Sequence, residues 1–596
     1  MKRVADEVKG YIQQNPFSDS QARNFSDTKI IGEFCPVSNY WSLFNDQHEI
    51  LLGTRGSGKT FLLKMMRYSM LKRIDNDQAR EIAQKKEFIA LYVPMYLEFV
   101  THITNSKAAE DKQIQLFQFA FNCLLAQSLL LEVKEILSEE EDKLLWAKKS
   151  RALASALNEI WFNEAPNGIS DLFSLTIKIE KLFYNFDLQT GDLNAIPPVF
   201  KRPIGASLLA AKDLIVYHLG LKEEPTWIIC IDEAEFLSET LQRCINNVFR
   251  SDSKRIALKV ATLPFYHCTL KTLDPNISVS AENDFHYRVV DMKYDDQDFC
   301  ELTDSLVAHR LKTRFNSNVE VQRLEDFLGT VGSDAQIDYY REEVGLENAT
   351  YEVITEEILK SFSEERRKTA SDYENKRKPV YDKFAPIFYV RKMFSLSKKG
   401  NTKPGWYAGS QMVRKIAQGN PRAFIQIMNN LFEKARNFEL TPKAQHGVIM
   451  EYVHSFCEST QALESNGPTM YRDLSGIATI LQNNVHGEAL KVAGSNFVLK
   501  FADENVYEST KKWLQQATAY SRISVSEDVI KTGIKRDTEY SLSNAYAAEY
   551  WIPMRSEIPP KKIPILDNQG ATYVVRLPRT SPSQDQQISL FEEDAE

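Results

Sequence analysis

The chain has 596 residues, room for roughly four domain-sized units, and its 73 basic and 81 acidic side chains leave a net charge of −8. With 43% hydrophobic and 26% charged residues, and only 23 Gly and 22 Pro, it falls outside the collagenous, low-complexity and largely disordered classes. The charge balance excludes a uniformly basic nucleic-acid coat, although a local basic face stays open.

Seven cysteines form no CxxC pair, and nine histidines form no HExxH. That argues against a disulfide framework or a zinc hydrolase and for a reducing cytoplasm. The N-terminus lacks the apolar stretch of a signal peptide. The most apolar window, Phe117 to Val133, is interrupted by Gln118, Asn122, Gln127, Ser128 and Glu132, so it reads as a buried helix and not a membrane span.

In chain order, residues 1–24 are an N-terminal extension. EILL (49–52) is a short strand before a Gly-rich turn, and FLLKMMRYSMLKRI after it has helical periodicity. FIALYV (88–93), WIICI (227–231), IALKVAT (256–262) and YRVVDM (287–292) read as further strands. Helical segments separate most of them, which predicts a parallel α/β sheet covered on both faces. About 100–225 reads as a large helical insertion. The stretch 301–430 reads as a helical unit, and 431–580 mixes helices with short strands. Between 376 and 422, twelve Lys or Arg face one acid, Asp382, and Phe384, Phe388, Tyr389, Phe394, Trp406 and Tyr407 are interleaved with them. That composition suits a surface that tracks phosphates and stacks bases. It equally suits a helical core with solvated lysines. Residues 581–596 carry five acids and no bases and read as a disordered tail.

Gly53-Thr54-Arg55-Gly56-Ser57-Gly58-Lys59-Thr60 fits GxxxxGK[ST] between a strand and a helix. The glycines let successive amides turn toward phosphate oxygens at a helix N-terminus. Lys59 is placed for the β- and γ-phosphates of ATP and Thr60 for Mg²⁺. Asp232 and Glu233 end a buried strand, where ligands of parallel sheets bind. Asp232 is the expected Mg²⁺ carboxylate and Glu233 the expected base for the attacking water. Thr262 ends the next strand and is either a sensor of the γ-phosphate or an ordinary strand-terminal Thr.

TRGSGKT (54–60), IDEAEFL (231–237), KVATLP (259–264) and Gly419-Asn420-Pro421-Arg422 together resemble the AAA+ P-loop ATPases, within them the origin-recognition (ORC-like) initiators. The resemblance implies an ATPase base at 25–300 and a helical lid at 301–430, with Arg422 contacting the γ-phosphate from the lid. It implies a C-terminal winged helix in which VYESTKKWLQQA (506–517) precedes a wing formed by SRISVS (521–526) and EYSLS (539–543). Lys511, Lys512, Arg522, Lys531, Lys535 and Arg536 are then the candidate DNA contacts. Arg243, Arg250 and Arg288 are the candidates for an arginine finger acting in a homo- or hetero-oligomer. In the tail, Gln587, Ile588, Leu590 and Phe591 belong to a QISLF segment that resembles the peptide docking bacterial proteins onto the sliding clamp; another partner, or no role, also fits. Two readings follow. One is an ATPase that couples nucleotide state to DNA. The other is an ATPase switch regulating a separate effector, as in bacterial antiviral defence, with the insertion as docking surface.

Overall fold

Apolar runs buried on both faces assemble into one parallel sheet. The computed structural model describes residues 15–18, 25–105, 109–164, 169–186, 191–251, 255–315, 321–329, 350–364, 377–398, 405–435, 439–463, 466–554, 559–568 and 572–574. Strands β1 (Glu49–Leu52), β2 (Phe88–Pro94), β3 (Thr226–Asp232), β4 (Ile256–Thr262) and β5 (His286–Val289) lie in the order β2-β3-β4-β1-β5. All four pairings are parallel. β1, β3 and β4 are buried at every position, which is why they read as unbroken apolar runs. With β4 between β1 and β3, their C-terminal ends open on one crevice.

One ionic cluster interrupts that apolar interior. Lys259 on β4 pairs with Glu49 on β1 at 3.0 Å, both essentially inaccessible. The ammonium also donates to Asn45 Oδ1 (2.8 Å) and the Gln47 carbonyl (2.9 Å), and Arg288 on β5 holds the other Glu49 oxygen. Removing one member would leave an unpaired buried charge, at a cost of about 3–5 kcal/mol. The cluster therefore fixes the register of three neighbouring strands.

Helix α1 (Lys59–Met65) follows the phosphate loop. The helix expected to run on to Ile74 breaks at Arg67, which is extended (φ −59°, ψ 141°), bridges to Ala90 and pairs with Asp27 at 2.9 Å. Between β2 and β3, helices α2 (Glu110–Leu137), α3 (Lys143–Phe162), α4 (Leu172–Tyr184) and α5 (Ala206–Leu219) form the insertion. By length and composition α2 passes for a membrane span, yet 72% of its apolar window is buried inside the protein. At its middle the inaccessible Asn122 accepts from the Gly205 amide (3.1 Å) and donates to the Arg202 carbonyl (3.0 Å), locking α2 to the start of α5. Helix α6 (Glu239–Phe249) joins β3 to β4. One hydrophobic core spans the sheet and the insertion, from Ile30 to Phe285.

The remainder shares a second core. Helices α7 (Gln297–Phe315), α8 (Arg377–Lys398), α9 (Ser410–Ala417), α10 (Pro421–Ala435), α11 (Pro442–Glu458) and α12 (Gly467–His486) lead into a smaller sheet. That sheet contains β6 (Asn496–Phe501), β7 (Ile523–Ser524), β8 (Glu539–Leu542), β9 (Lys561–Asn568) and β10 (Thr572–Val574), in the order β10-β9-β6-β8-β7. Helices α13 (Glu504–Ala519), α14 (Glu527–Thr532) and α15 (Asn544–Glu549) connect its strands. β7 and β8 pair antiparallel, Ile523 opposite Leu542, but α14 lies between them, so they do not make a tight hairpin.

Two expectations about DNA-facing residues are corrected here. In the basic segment, Phe384, Phe388, Tyr389 and Tyr407 are buried, and Phe394 and Trp406 pack against the same core. The four buried rings are therefore unavailable for base stacking. Their spacing on helices satisfied the core, and two lysine ammonium groups lie over rings of the segment: Lys392 over Phe388 at 5.2 Å and Lys398 over Phe394 at 4.4 Å. Arg522, expected at a DNA surface, is 6% exposed and bonded internally. Of its neighbours in the same set, Lys511 pairs with Glu508, Lys531 with Glu527 and Arg536 with Glu504, while Lys512 and Lys535 are exposed. The QISLF segment lies outside the described residues.

Candidate nucleotide site

The phosphate loop curls because Gly56 and Gly58 hold left-handed backbones (φ 98° and 94°). The Gly53 amide donates to the Thr262 carbonyl (3.3 Å), joining the loop to the end of β4. Lys59 is folded back onto the loop, its ammonium donating to the Gly53 (2.6 Å) and Thr54 (3.1 Å) carbonyls. Burial lowers its pKa, against the opposing pull of Glu235, Asp291 and Asp232. Asp291, just beyond β5, accepts from the Thr54 amide (2.9 Å) and hydroxyl (2.9 Å) and so pins the front of the loop.

The two carboxylates expected after β3 sit beside this loop. Asp232, 2% exposed, accepts from the Tyr92 hydroxyl (2.8 Å) and, with its other oxygen, from the Glu233 amide (3.0 Å). Burial, then the Asp232 charge, push the Tyr92 pKa well up and keep that hydroxyl a donor. Glu233 has φ 59° and ψ 36°. A non-glycine residue in the left-handed region is uncommon, and such strain concentrates at functional sites.

Glu235 and Tyr92 were missed by sequence reasoning. Burial pushes the Glu235 carboxyl up to about 7, opposed chiefly by Lys59. Its signal was present as a further acid two residues after Glu233, but nothing in IDEAEFL marks that acid as buried. Tyr92 lies 140 residues from its partner and had no local signal.

Residues 420 and 422, at the start of α10, lie against the loop. Asn420 Nδ2 donates to the Arg55 carbonyl (3.0 Å), and the Arg422 amide to the Gly56 carbonyl (3.4 Å). A Cβ on Gly56 would fall 2.7 Å from Asn420 Oδ1 and 2.8 Å from Arg422 Cβ. Gly419, with φ 73°, lies so close to β5's exit that a Cβ would fall 1.8 Å from the Met292 carbonyl oxygen. A cavity of about 250 Å³ is lined by the loop, Asp232, Glu233, Glu235 and Arg422, with apolar Phe25, Phe34, Val37 and Leu302 also in its lining.

The donor set fits a magnesium-bound polyphosphate. Among the described residues, three buried polar atoms at this site find no hydrogen-bond partner: Ser57 Oγ, Thr262 Oγ1 and Glu235 Oε2. A buried polar atom without a partner costs about 1–3 kcal/mol, so three gathered around a Gly-rich loop point to a ligand that completes them. The structure thus brings together all the sequence-predicted site residues: Gly53 to Thr60, Asp232, Glu233, Thr262 and Arg422. Of the three arginine-finger candidates, Arg288 lines this cavity and pairs with Glu49, while Arg243 pairs with Glu110 (2.6 Å) and Arg250 with Asp284 (2.9 Å).

A search of curated proteins finds none that matches the chain. Residues 15–559 match the ORC-CDC6-like family. With nearly the whole chain covered by that match, and with a phosphate loop, a carboxylate pair and a five-stranded parallel sheet in place, the chain belongs to the ORC-CDC6-like family and is of the AAA+ type.

Proposed function

We propose that the protein hydrolyses ATP with Mg²⁺ and uses the nucleotide state to control its grip on DNA. One relationship supports this above others: the phosphate loop is bonded on one side to the lid and on the other to the C-terminal part of the chain. Arg55 accepts from Asn420 through its carbonyl and donates to the Ala519 carbonyl (2.9 Å) through its amide. A change in the loop is therefore transmitted to both.

The residues divide the chemistry as follows. Loop amides and Lys59 hold the polyphosphate, and Lys59 exchanges two carbonyl partners for phosphate oxygens. Thr60 and Asp232 hold the metal, with Tyr92 orienting Asp232. Magnesium neutralises charge on the phosphates when bound. Glu233 accepts the proton of the attacking water, Thr262 senses the terminal phosphate from β4, and Arg422 does so from the lid. The apolar part of the cavity lining takes the base, and an exchange of Arg422 contacts on hydrolysis moves the lid.

DNA is the proposed partner because exposed Lys512 and Lys535 and the paired Lys531 and Arg536 lie on α13, on α14 and in the loop before β8. We read this region as the winged helix. Fluorescence anisotropy of labelled single-stranded and duplex DNA with a non-hydrolysable ATP analogue tests it. Binding that weakens steeply with salt is expected, since phosphate contacts release counterions. No binding to either form at low salt would reject it.

One observation favours the effector reading. Large apolar side chains stand exposed on the insertion, among them Leu144, Phe173, Tyr184 and Tyr217, as at protein-docking surfaces. Clamp docking through residues 587–591 is a separate proposal, tested by clamp pull-down with and without Leu590→Ala and Phe591→Ala.

A further inference from the structure

A second cavity, of about 770 Å³, is lined by Arg55, by residues of α9 to α11 and by Tyr520, Ser521, Arg522, Ser543 and Ala545. Its size is that of a small-molecule site. Three arginines line it, Arg55, Arg422 and Arg522, and among the described residues no Asp or Glu does. Amides complete much of the rest, with Asn420, Asn429 and Asn430 among them.

Arg522 is the anomaly that gives the cavity meaning. It is 6% exposed, yet its partners are neutral: Thr460 Oγ1 (2.8 Å), Ser459 Oγ (2.8 Å) and the Tyr520 carbonyl (3.2 Å). Its guanidinium lies 3.6 Å from the centre of the Phe456 ring. Among the described residues it has no carboxylate partner, whereas the buried Arg67, Lys259, Arg310 and Arg414 each have one. A buried charge without a counter-charge is costly. The neighbouring Ser521 adds a second irregularity: φ 58° and a buried hydroxyl with no partner among the described residues. Both residues line the cavity.

We infer that this cavity is a second anion site, built for a phosphate-bearing small molecule of nucleotide size, whose charge neutralises Arg522 and Arg55. The site adjoins the ATP pocket through a shared wall, because Arg55 and Arg422 line both. Its occupant would bias how the loop, the lid and the C-terminal part sit together, and linkage makes that effect reciprocal with nucleotide affinity. The inference does not rest on ATP hydrolysis.

Calorimetry with pyrophosphate at low ionic strength, on the full chain carrying Lys59→Ala, isolates this site from the phosphate loop. Saturable binding is expected to survive in that background. It should weaken at least tenfold when Arg522→Gln is added. Since Arg522 also supports its surroundings, Ser455→Glu and Gln426→Glu serve as the second arm: both positions are exposed and line the cavity, so they add a carboxylate without disturbing the core. Each should weaken pyrophosphate at least tenfold with unchanged thermal unfolding. Absence of saturable binding in the Lys59→Ala protein would overturn the inference. So would equal binding in Ser455→Glu and Gln426→Glu. If pyrophosphate fails to bind but a short DNA duplex binds and is lost in Ser455→Glu, the cavity is part of a DNA surface and the small-molecule assignment is wrong.

Discussion

The amide of Arg55, at the crest of the phosphate loop, donates to the carbonyl of Ala519, 464 positions later at the end of α13, at 2.9 Å. The Arg55 guanidinium reaches the Tyr520 hydroxyl at 3.3 Å and lies 5.5 Å from that ring. The Asn544 amide donates to Gln418 Oε1 (3.0 Å) and its side chain to the Lys415 carbonyl (2.6 Å). The phosphate loop, residues 415–422 and the C-terminal part therefore contact one another pairwise.

Lys59 and Glu233 are expected to separate binding from chemistry. Lys59→Ala should abolish nucleotide binding. Glu233→Gln should retain binding and slow turnover by orders of magnitude, because it removes the base and spares the metal carboxylate. Equilibrium binding of a fluorescent ATP analogue beside a phosphate-release assay distinguishes them, and equal loss of binding in both variants would refute the division of roles.

Tyr92→Phe should weaken magnesium affinity. It deletes the donor that orients Asp232, and partners of this kind are worth about 10- to 100-fold in metal affinity. A magnesium titration of turnover at saturating ATP should show the midpoint rising by about tenfold, with turnover partly restored at high magnesium.

Glycines at this junction differ in what a methyl group meets. Gly419→Ala places a Cβ against the Met292 carbonyl at a left-handed backbone, so urea unfolding should show a loss of at least about 3 kcal/mol. Gly58→Ala meets nothing within 4 Å and incurs the backbone penalty alone, about 1–2 kcal/mol. Similar losses for the two would contradict the tight lid contact.

The pH dependence of the nucleotide-free protein should carry the mark of Glu235. Its folded pKa of about 7 lies above the ordinary value of 4.5. The folded state thus binds the proton more tightly, and the associated stability is full below about pH 4.5 and lost as pH rises through 7. Glu235→Gln should flatten the stability profile between pH 5 and 8 and be the more stable form at pH 8, by at most about 3 kcal/mol. An unchanged slope would show that Glu235 titrates normally.

Much of the base was legible because its signals are local. A strand buried on both faces must be an apolar run, and a phosphate loop must carry its glycines and lysine in sequence. Gly419 to Arg422 was legible for the same reason. Tyr92 was not, because orienting Asp232 depends on two strands being adjacent. The break at Arg67 escaped notice because helical periodicity continues through it, while the ion pair to Asp27 that favours the extended residue lies 40 positions away. The basic segment misled because lysines and aromatics alternate alike on a nucleic-acid surface and on a helix whose lysines lie over core aromatics. Arg522 misled because charge in a sequence gives no measure of burial.

The most direct test of the coupling is steady-state ATP turnover by the purified protein with no DNA, with single-stranded DNA and with duplex, using Glu233→Gln as the blank. The account predicts that DNA changes turnover several-fold and that Tyr520→Ala, which removes the side-chain link between Arg55 and the C-terminal part, blunts the change while leaving DNA-free turnover measurable. Turnover indifferent to both forms of DNA would contradict it and move the weight to a protein effector docked on the insertion.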